Sequence, residues 1–227
     1  MGTIKLLRGI AFLLAGAGLV VMYSCNKSNS SSTSARILFA NGCVGATSTS
    51  LTVNGANLAN ATAIAYLGNS GYQQVASGSA AINAMLTGVG TLGSFTDTLF
   101  ANKSYSVFEC GTVLAPKLVL MLDLLPTSPG NYAYARLVNV SSDSTATSMT
   151  AAVGNTVVGS GVEEGGSSLF TQIAPGAYNL TAFNPNEPGD VATLSSVQLN
   201  AGQIYTLMYS GNSNQTVGFK LTVINNN

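Results

Sequence analysis

Few side chains of this sequence can act as nucleophiles, acids, bases or metal ligands, and none of them is a histidine. The 227 residues include eight acids, eight basic residues and three cysteines, but no His. The absence of His excludes Ser-His-Asp and Cys-His catalysis, imidazole metal ligands and imidazole proton switches. The two adjacent acids, Glu163 and Glu164, would face opposite sides of a strand and do not form an acid–base pair. We therefore expect a protein that is not an enzyme.

Two segments imitate cofactor or metal motifs. Residues 88–93 (GVGTLG) have the glycine spacing of a dinucleotide loop, but a strand-like stretch follows them where such a site needs a helix. Residues 184–190 (NPNEPGD) are rich in oxygen ligands but lack the regular acidic spacing of a calcium loop. Their two prolines and one glycine are typical of a turn. We expect no cofactor and no metal.

Cys25 has the surroundings of a lipid-modified cysteine. Lys5 and Arg8 precede an uncharged apolar stretch over 9–22, which is too short to span a bilayer and is typical of a secretory signal. The segment 21–25 (VMYSC) resembles the bacterial lipobox. That resemblance implies cleavage before Cys25 and a diacylglyceryl thioether on its sulfur. An ordinary cleaved signal or an uncleaved anchor is the alternative.

The segment after Cys25 predicts a tether and a location. Residues 26–34 (NKSNSSSTS) have no apolar side chain to bury, so they form a flexible spacer with a mean reach of roughly 15–18 Å. We expect a signal peptide over 1–24 and a lipidated cysteine with its tether over 25–34. The protein would then be anchored in the outer membrane of a Gram-negative cell, on its periplasmic face or at the cell surface.

Charge limits the partners of the exported part. The formal net charge is zero, so no basic surface exists to hold nucleic acid by its phosphates. The membrane is contacted through the N-terminal lipid, and an envelope protein or a glycan is the other possible partner. The sequence leaves the oligomeric state open.

The rest of the chain contains one pattern twice. Residues 35–85 superimpose on 133–183 without a gap, and the apolar positions keep their phase. Each copy has the size of an independent sandwich and shows short alternating strands between turns. We therefore predict an all-β protein made of two tandem antiparallel β-sandwiches. The predicted boundaries are 35–125 for the first copy, 126–131 for the linker and 132–227 for the second copy.

The openings of the two copies, ARILFANGC (35–43) and AYARLVNVSSDS (133–144), carry a family resemblance. The matching positions of copy two are Arg136, Val138, Asn139, Ser141 and Asp143. This pattern resembles the bacterial domain family of unknown function numbered 4397. Copy one departs from it, because Leu38 has the place of the arginine. The resemblance implies immunoglobulin-like or transthyretin-like sandwiches on extracytoplasmic lipoproteins, and it brings no catalytic residues.

Cys43 and Cys110 differ jointly from copy two. Their counterparts there are Ser141 and Ser210, and a joint difference is expected if the two positions touch. An exported protein lies in a compartment that allows disulfides. We predict a Cys43–Cys110 disulfide, with two separate apolar thiols as the alternative.

Four further side chains are candidates for modification or binding. Thr98 and Ser144 follow aspartates in triplets that resemble the acceptor site of a bacterial O-glycosylation system, although unmodified hydroxyls are the simpler interpretation. Sugar platforms need exposed aromatic rings, and the chain has no Trp. Tyr66 and Tyr132 lack an aromatic counterpart in the other copy and are the better binding candidates.

Three functional classes follow from these features. The leading one is a non-enzymatic, lipid-anchored envelope protein whose two sandwiches serve structural or binding roles. The alternative is a surface adhesin or a carbohydrate-binding lipoprotein. A hydrolase would require folding to bring together distant carboxylates such as those of Asp97, Glu109 and Asp123.

Overall fold

A computed structural model describes residues 33–142, 148–213 and 218–227, and every regular element in them is a β-strand. Cys25 and nearly all of the tether lie outside the described residues. Within the described ranges, no helix has the length and apolar character needed to cross a membrane. The chain from Ser32 to Asn227 is one compact unit.

The first half of this unit contains eight strands. They are β1 (Ser34–Asn41), β2 (Thr49–Val53), β3 (Ala56–Asn57), β4 (Asn69–Ala76), β5 (Gly78–Leu86), β6 (Gly90–Leu99), β7 (Ser104–Thr112) and β8 (Ala115–Leu122). They form two four-stranded sheets, in the orders β4-β1-β7-β8 and β3-β2-β5-β6. We call this half the first sandwich.

The second half also contains eight strands. They are β9 (Ala133–Asn139), β10 (Met149–Val153), β11 (Thr156–Val162), β12 (Thr171–Ile173), β13 (Gly176–Asn184), β14 (Glu187–Leu199), β15 (Ile204–Ser210) and β16 (Lys220–Asn225). The orders β12-β9-β15-β16 and β11-β10-β13-β14 match those of the first half. We call this half the second sandwich. The predicted all-β sandwich class is confirmed.

Strand direction differs from the prediction in one respect. Most neighbours are antiparallel, but β1 pairs with β7 in parallel, and β9 pairs with β15 in parallel. In each sandwich, these two central strands therefore begin at the same end of their sheet. Local alternation of apolar residues predicts a strand but not its direction, because direction depends on how distant strands come together.

Short-range signals explain many of the strands and turns. In β13, Leu180 and Ala182 are buried, while the residues between them face away from the core. The β2–β3 hairpin turns at Asn54 and Gly55, whose φ angles are 52° and 78°. Positive φ at both central positions is the geometry of a type I′ turn, which favours the Asn-Gly pair.

Each sandwich has its own core, and a third apolar cluster joins the two sandwiches. The first core contains Ile37 and Phe39, and the second contains Leu137 and Tyr209. The third cluster lies between the sheets that hold β1 and β9. Its buried members are Leu38, Ala40, Phe108, Cys110, Val138, Val140, Met208 and Ile224. Because both sandwiches contribute to this cluster, they pack against each other through a dry interface.

Gly42 lies where the two sandwiches approach each other closely. A Cβ atom on this residue would lie 2.4 Å from Val140 Cγ2, so any side chain here would push the two sheets apart. Its carbonyl accepts a hydrogen bond of 2.7 Å from the Ser210 hydroxyl in the other sandwich. The interface therefore requires glycine at this position.

Candidate ligand cleft between the two sandwiches

A buried ion pair lies at the junction of the two sandwiches. Asp123 follows β8, and Arg136 is in β9. Arg136 Nη2 donates to Asp123 Oδ1 at 2.5 Å, and the two side chains are 3% and 0% exposed. An ion pair this deeply buried is stable only when its remaining donors and acceptors also have partners.

Polar side chains from both sandwiches supply those partners. Tyr72 and Ser106 donate to Asp123 Oδ2 at 2.6 and 2.7 Å. Arg136 Nε donates to the Thr206 hydroxyl at 3.0 Å. We call this set the junction network, and it consists of Tyr72, Ser106, Asp123, Arg136, Thr206 and Asn226. Hydrogen bonds that cross between the sandwiches hold them in one relative orientation.

The network shifts the titration of its tyrosine. Burial and the neighbouring Asp123 carboxylate both raise the pKa of Tyr72 well above its usual value. The neutral phenol therefore remains a hydrogen-bond donor to Asp123 at any physiological pH. Arg136 also lies over the Phe170 ring, with Cζ 4.7 Å from the ring centroid. The face of the ring attracts the guanidinium, and this cation–π contact helps to stabilise the buried charge.

A cleft of about 580 Å³ opens beside this network. Asp123 and Asn226 line it together with side chains of both sandwiches and of the segment that connects them. The other lining residues are Arg36, Asn102, Lys103, Ser104, Leu122, Leu124, Leu125, Pro126, Thr127, Pro129, Gly202, Ile204 and Asn227. Its volume lies within the range of small-molecule sites, and about half of its lining residues are polar or charged. We call it the junction cleft.

Two cations of the junction cleft form no ion pair with any carboxylate in the described part of the chain. The ion pairs found among the described residues are Arg136–Asp123 and Lys117–Glu164, so neither Arg36 nor Lys103 takes part in one there. Arg36 is held in place by its neighbours. Its Nε and Nη2 donate to the Ser104 hydroxyl at 3.2 and 2.9 Å, and its Cζ lies 4.8 Å from the ring centroid of Tyr72. The cleft therefore offers positive charge on a pre-oriented guanidinium.

The sequence patterns did not predict this cleft, although the scarcity of charged residues pointed to the importance of each cation. Charged side chains are only 7% of the chain, so each cation of the body merits a search for its partner. The adjacent apolar wall comes from the predicted linker, whose Pro126 and Pro129 line the cleft. Composition alone does not show that Arg36, Lys103 and the linker meet, because they are distant in sequence.

The carboxylates that a hydrolase would need are not brought together. Asp97 is on exposed β6, Glu109 faces the inside of the first sandwich, and Asp123 is paired at the junction. The described residues also contain no group of three or more His, Cys, Asp or Glu side chains placed to hold a metal ion. The arrangement in the junction cleft is suited to binding a ligand.

Glu109 is a second buried carboxyl group, and it takes part in no ion pair among the described residues. It is 0% exposed, and the Thr49 hydroxyl near it does not form a well-aligned hydrogen bond with either carboxyl oxygen. Burial raises its pKa to about 7, and the nearby Thr49 hydroxyl opposes that rise. Burial and the Glu109 charge together raise the pKa of the Cys43 thiol to about 12. Glu109 is therefore a pH-sensitive group inside the first core.

The predicted Cys43–Cys110 disulfide is absent, and both residues are buried free thiols. The parallel register pairs Val44 with Thr112, so Cys43 lies beside Gly111, one position beyond Cys110. Consecutive positions of a strand point to opposite faces of its sheet. Cys110 accordingly packs between the sandwiches, whereas Cys43 packs on the inner face. The two cysteines are neighbours in the backbone but not in the direction of their side chains.

The two candidate tyrosines lie at opposite ends of the sheets. The Tyr66 hydroxyl is 3.0 Å from the Ser210 hydroxyl of the second sandwich, so Tyr66 contributes to the contact between sandwiches. Tyr132 is 47% exposed, and its backbone hydrogen-bonds to Pro129 and Gly202, which both line the junction cleft. Of the two, only Tyr132 is placed beside the cleft.

Of the predicted modification sites, the structure describes only Thr98. Thr98 is exposed on β6, and its backbone amide donates to the carboxylate of Asp97 at 2.6 Å. Ser144, the other glycosylation candidate, and Cys25, the lipidation candidate, lie outside the described residues.

The comparison with family models decides the classification. The model of DUF4397, a domain of unknown function, matches residues 35–150, slightly more than half of the chain. The chain belongs to the DUF4397 family. The match covers the first sandwich and continues through β9 into β10. No curated protein has a sequence that matches this DUF4397 protein.

Solved structures give only distant similarities. One is the carbohydrate-binding module CBMbc (family CBM26) of Eubacterium rectale Amy13K in complex with maltoheptaose, at 12% identity and a TM-score of 0.29, covering 84% of this chain and 96% of that one. Another is a candidate cell adhesion protein of Bacteroides uniformis, at 10% identity and a TM-score of 0.27, with the same two coverages. At such TM-scores the site of this DUF4397 protein must be judged on its own residues.

Proposed function

We propose that this DUF4397 protein is a non-catalytic, lipid-anchored binding protein of the cell envelope, and that its ligand site is the junction cleft. The observation that carries the proposal is the pair of cations, Arg36 and Lys103, which line one cleft without a carboxylate partner among the described residues. The junction network beside them keeps the two sandwiches in one orientation. The walls of the cleft are therefore already formed before a ligand arrives.

The chemistry of the cleft favours an anionic group. A guanidinium has five N–H donors, and hydrogen bonds to Ser104 use only part of this capacity in Arg36. The Lys103 ammonium adds three more donors. Phosphate and carboxylate groups accept such charge-assisted bonds best, and a planar guanidinium can bind them in a bidentate manner. The proposed ligand is therefore a small molecule or headgroup with a phosphate or a carboxylate.

A neutral glycan is the second candidate ligand, and it corresponds to a carbohydrate-binding or adhesive role. The exposed Tyr132 ring is anchored beside the cleft by its backbone bonds to Pro129 and Gly202. A sugar could stack an apolar face on such a ring while it bonds to the side chain of Asn102. In that case the tyrosine, rather than the two cations, would control binding.

An NMR titration of the soluble body, residues 26–227, tests the proposal. This fragment contains the whole compact unit Ser32–Asn227 with its three apolar clusters. We expect glycerol 1-phosphate to shift amide signals around Asn102 and Gly202 in a saturable way. The variant Arg36→Ala should weaken this binding about tenfold or more, as expected for loss of a charge-assisted hydrogen bond.

Matched arms decide between the two ligands. Lys220→Ala removes a cation outside the cleft and should leave the affinity for glycerol phosphate unchanged. Chitohexaose serves as the neutral glycan. Saturable binding of this glycan that is lost in Tyr132→Ala and kept in Arg36→Ala would favour the second candidate. No response at the cleft to either probe would refute the proposed site.

The anchor is tested separately from the cleft. In the native host, the protein should incorporate an alkyne-labelled fatty acid and partition with membranes, because the Cys25 thiol is the proposed acceptor of the lipid. Cys25→Ser should abolish labelling and release the protein from the membrane fraction. Cys43→Ser is the matched control, since that thiol is buried in the first sandwich and should leave labelling intact. Labelling that persists in Cys25→Ser would contradict the lipoprotein assignment.

A further inference from the structure

The chain enters the body at the same end as the junction cleft. The Thr33 carbonyl accepts a hydrogen bond from the Ser77 amide, and the Ser34 carbonyl accepts one from the Asn102 amide at 2.8 Å. Asn102 and Arg36 both line the cleft. We call this end, where β1, β7, β9 and β15 begin, the tether end. The opposite end, with the β7–β8 turn, is the far end.

Large apolar side chains, among them Phe100, Leu124 and Tyr132, are exposed at the tether end. Phe100, in the β6–β7 turn beside Lys103, is 64% exposed. Leu124, which lines the cleft, is 65% exposed, and Tyr132 is 47% exposed. Aromatic and leucine side chains next to cations are the usual composition of surfaces that lie in the interfacial layer of a bilayer.

Charge is distributed unevenly between the two ends. The tether end carries Arg36 and Lys103, with Asp97 near the end of β6 as its unpaired acid. The acids at the far end are more numerous. They lie in the turn after β11 and around the β13–β14 turn, and they are Glu163, Glu164, Glu187 and Asp190. The far end also carries Lys117 and Lys220, so its acids outnumber its cations. An anionic surface would therefore attract the tether end and repel the far end.

We propose that the tether end is a membrane-docking face, in which Phe100, Leu124 and Tyr132 enter the bilayer interface and the junction cleft receives the phosphate of an anionic phospholipid. This inference rests on the proposed function, because it names lipid phosphate as the anion bound by Arg36 and Lys103. The occupant is identified by position. The composition of residues 26–34 predicts a spacer with a mean reach of only roughly 15–18 Å, so a lipid on Cys25 would keep this end next to the membrane.

A weak interaction with the membrane surface is sufficient for docking when a lipid already tethers the protein to that membrane. A cation near an anionic membrane improves affinity by roughly fivefold, so two cations alone would not hold a free protein firmly. A tethered body, however, meets the membrane at an effective concentration in the millimolar range. Docking would lay the body against the membrane in one orientation, with the far end pointing away from it.

Tryptophan fluorescence tests the docking face, because the natural chain contains no Trp. Phe100→Trp places a single reporter at the tether end, and Leu114→Trp places one in the β7–β8 turn, where Leu114 is 94% exposed. Both positions tolerate the larger ring because they face solvent. The protein is residues 26–227, and the vesicles contain 30% phosphatidylglycerol in phosphatidylcholine at a millimolar lipid concentration, which matches the effective concentration of the tethered protein. We expect the first reporter to shift to the blue and to be quenched by brominated acyl chains. The second should not respond.

Charge reversal tests the part played by the cleft. Lys103→Glu changes two charge units at the tether end and should weaken vesicle binding by roughly 25-fold. Lys220→Glu makes the same change at the far end, where β16 begins beside Ser210, and should alter binding less than about twofold.

The outcomes separate this inference from the proposed function. Glycerol phosphate binding at the cleft with no vesicle response of Phe100→Trp would overturn the docking face and leave the anion site intact. An equal response of both reporters would also overturn the docking face, since the protein would then bind vesicles without preferring its tether end. A vesicle response that is undiminished in Lys103→Glu would refute the assignment of lipid phosphate to the cleft.

Discussion

Replacing Asp123 by Asn is expected to lower the free energy of unfolding by about 3–5 kcal/mol, because it leaves the Arg136 guanidinium buried without its counter-charge. The substitution keeps the shape of the side chain but removes the charge that also accepts hydrogen bonds from Tyr72 and Ser106. Urea denaturation of residues 26–227 measures the change. A second effect should appear in the cleft, since loosening the junction network loosens the support of Arg36.

The other ion pair of the described residues provides the control. Lys117 and Glu164 form a contact of 2.7 Å, but their side chains are 62% and 27% exposed. Glu164→Gln should therefore cost no more than about 1 kcal/mol. A double-mutant cycle of Asp123→Asn with Arg136→Gln should show coupling of about 0.5–3 kcal/mol. If Asp123→Asn costs as little as Glu164→Gln, the junction network does not hold the sandwiches together.

Stability is expected to fall by about 3 kcal/mol between pH 4.5 and pH 8 because of Glu109 alone. Its pKa rises from 4.5 in the unfolded chain to about 7 in the folded one, so the folded state holds a proton that the unfolded state releases. The stabilising contribution is complete below pH 4.5 and is lost as pH rises through 7. Other carboxylates add their own pH dependence, so the contribution of Glu109 is a difference between variants.

Glu109→Gln isolates that difference. The variant cannot ionise at this position, so its stability should exceed that of the parent by an amount that grows by about 3 kcal/mol from pH 4.5 to pH 8. Glu163→Gln, at an exposed position, should follow the parent across the same range. Urea midpoints at matched pH values give both curves. Parallel curves for Glu109→Gln and the parent would show that the carboxyl group is not buried in the folded protein.

The largest successes of the sequence analysis rest on local patterns. Alternation of apolar residues and dense turn signals indicated strands without helices, and the Asn54-Gly55 turn has the geometry that its residues favour. The family resemblance at the start of β9 is confirmed, and the structure gives one of its residues a physical role: Arg136 belongs to the ion pair between the sandwiches. These properties depend on residues that are close together in the sequence.

The cysteines show where such reasoning fails. A joint difference between the copies correctly placed Cys43 and Cys110 near each other along paired strands. It did not reveal their relative register, and a shift of one residue reverses the face to which a side chain points. The disulfide prediction was wrong for that reason.

The β-structure, the family, the turn positions and the small number of reactive side chains could all be read from the sequence. These properties follow from residue types and from short spacings. The shared cleft of Arg36 and Lys103, the ion pair of Asp123 with Arg136 and the burial of Glu109 became visible in the folded structure. The energy of a charge depends on its distances to other charges and on its desolvation, and both are set by the packing of strands that are far apart in the chain.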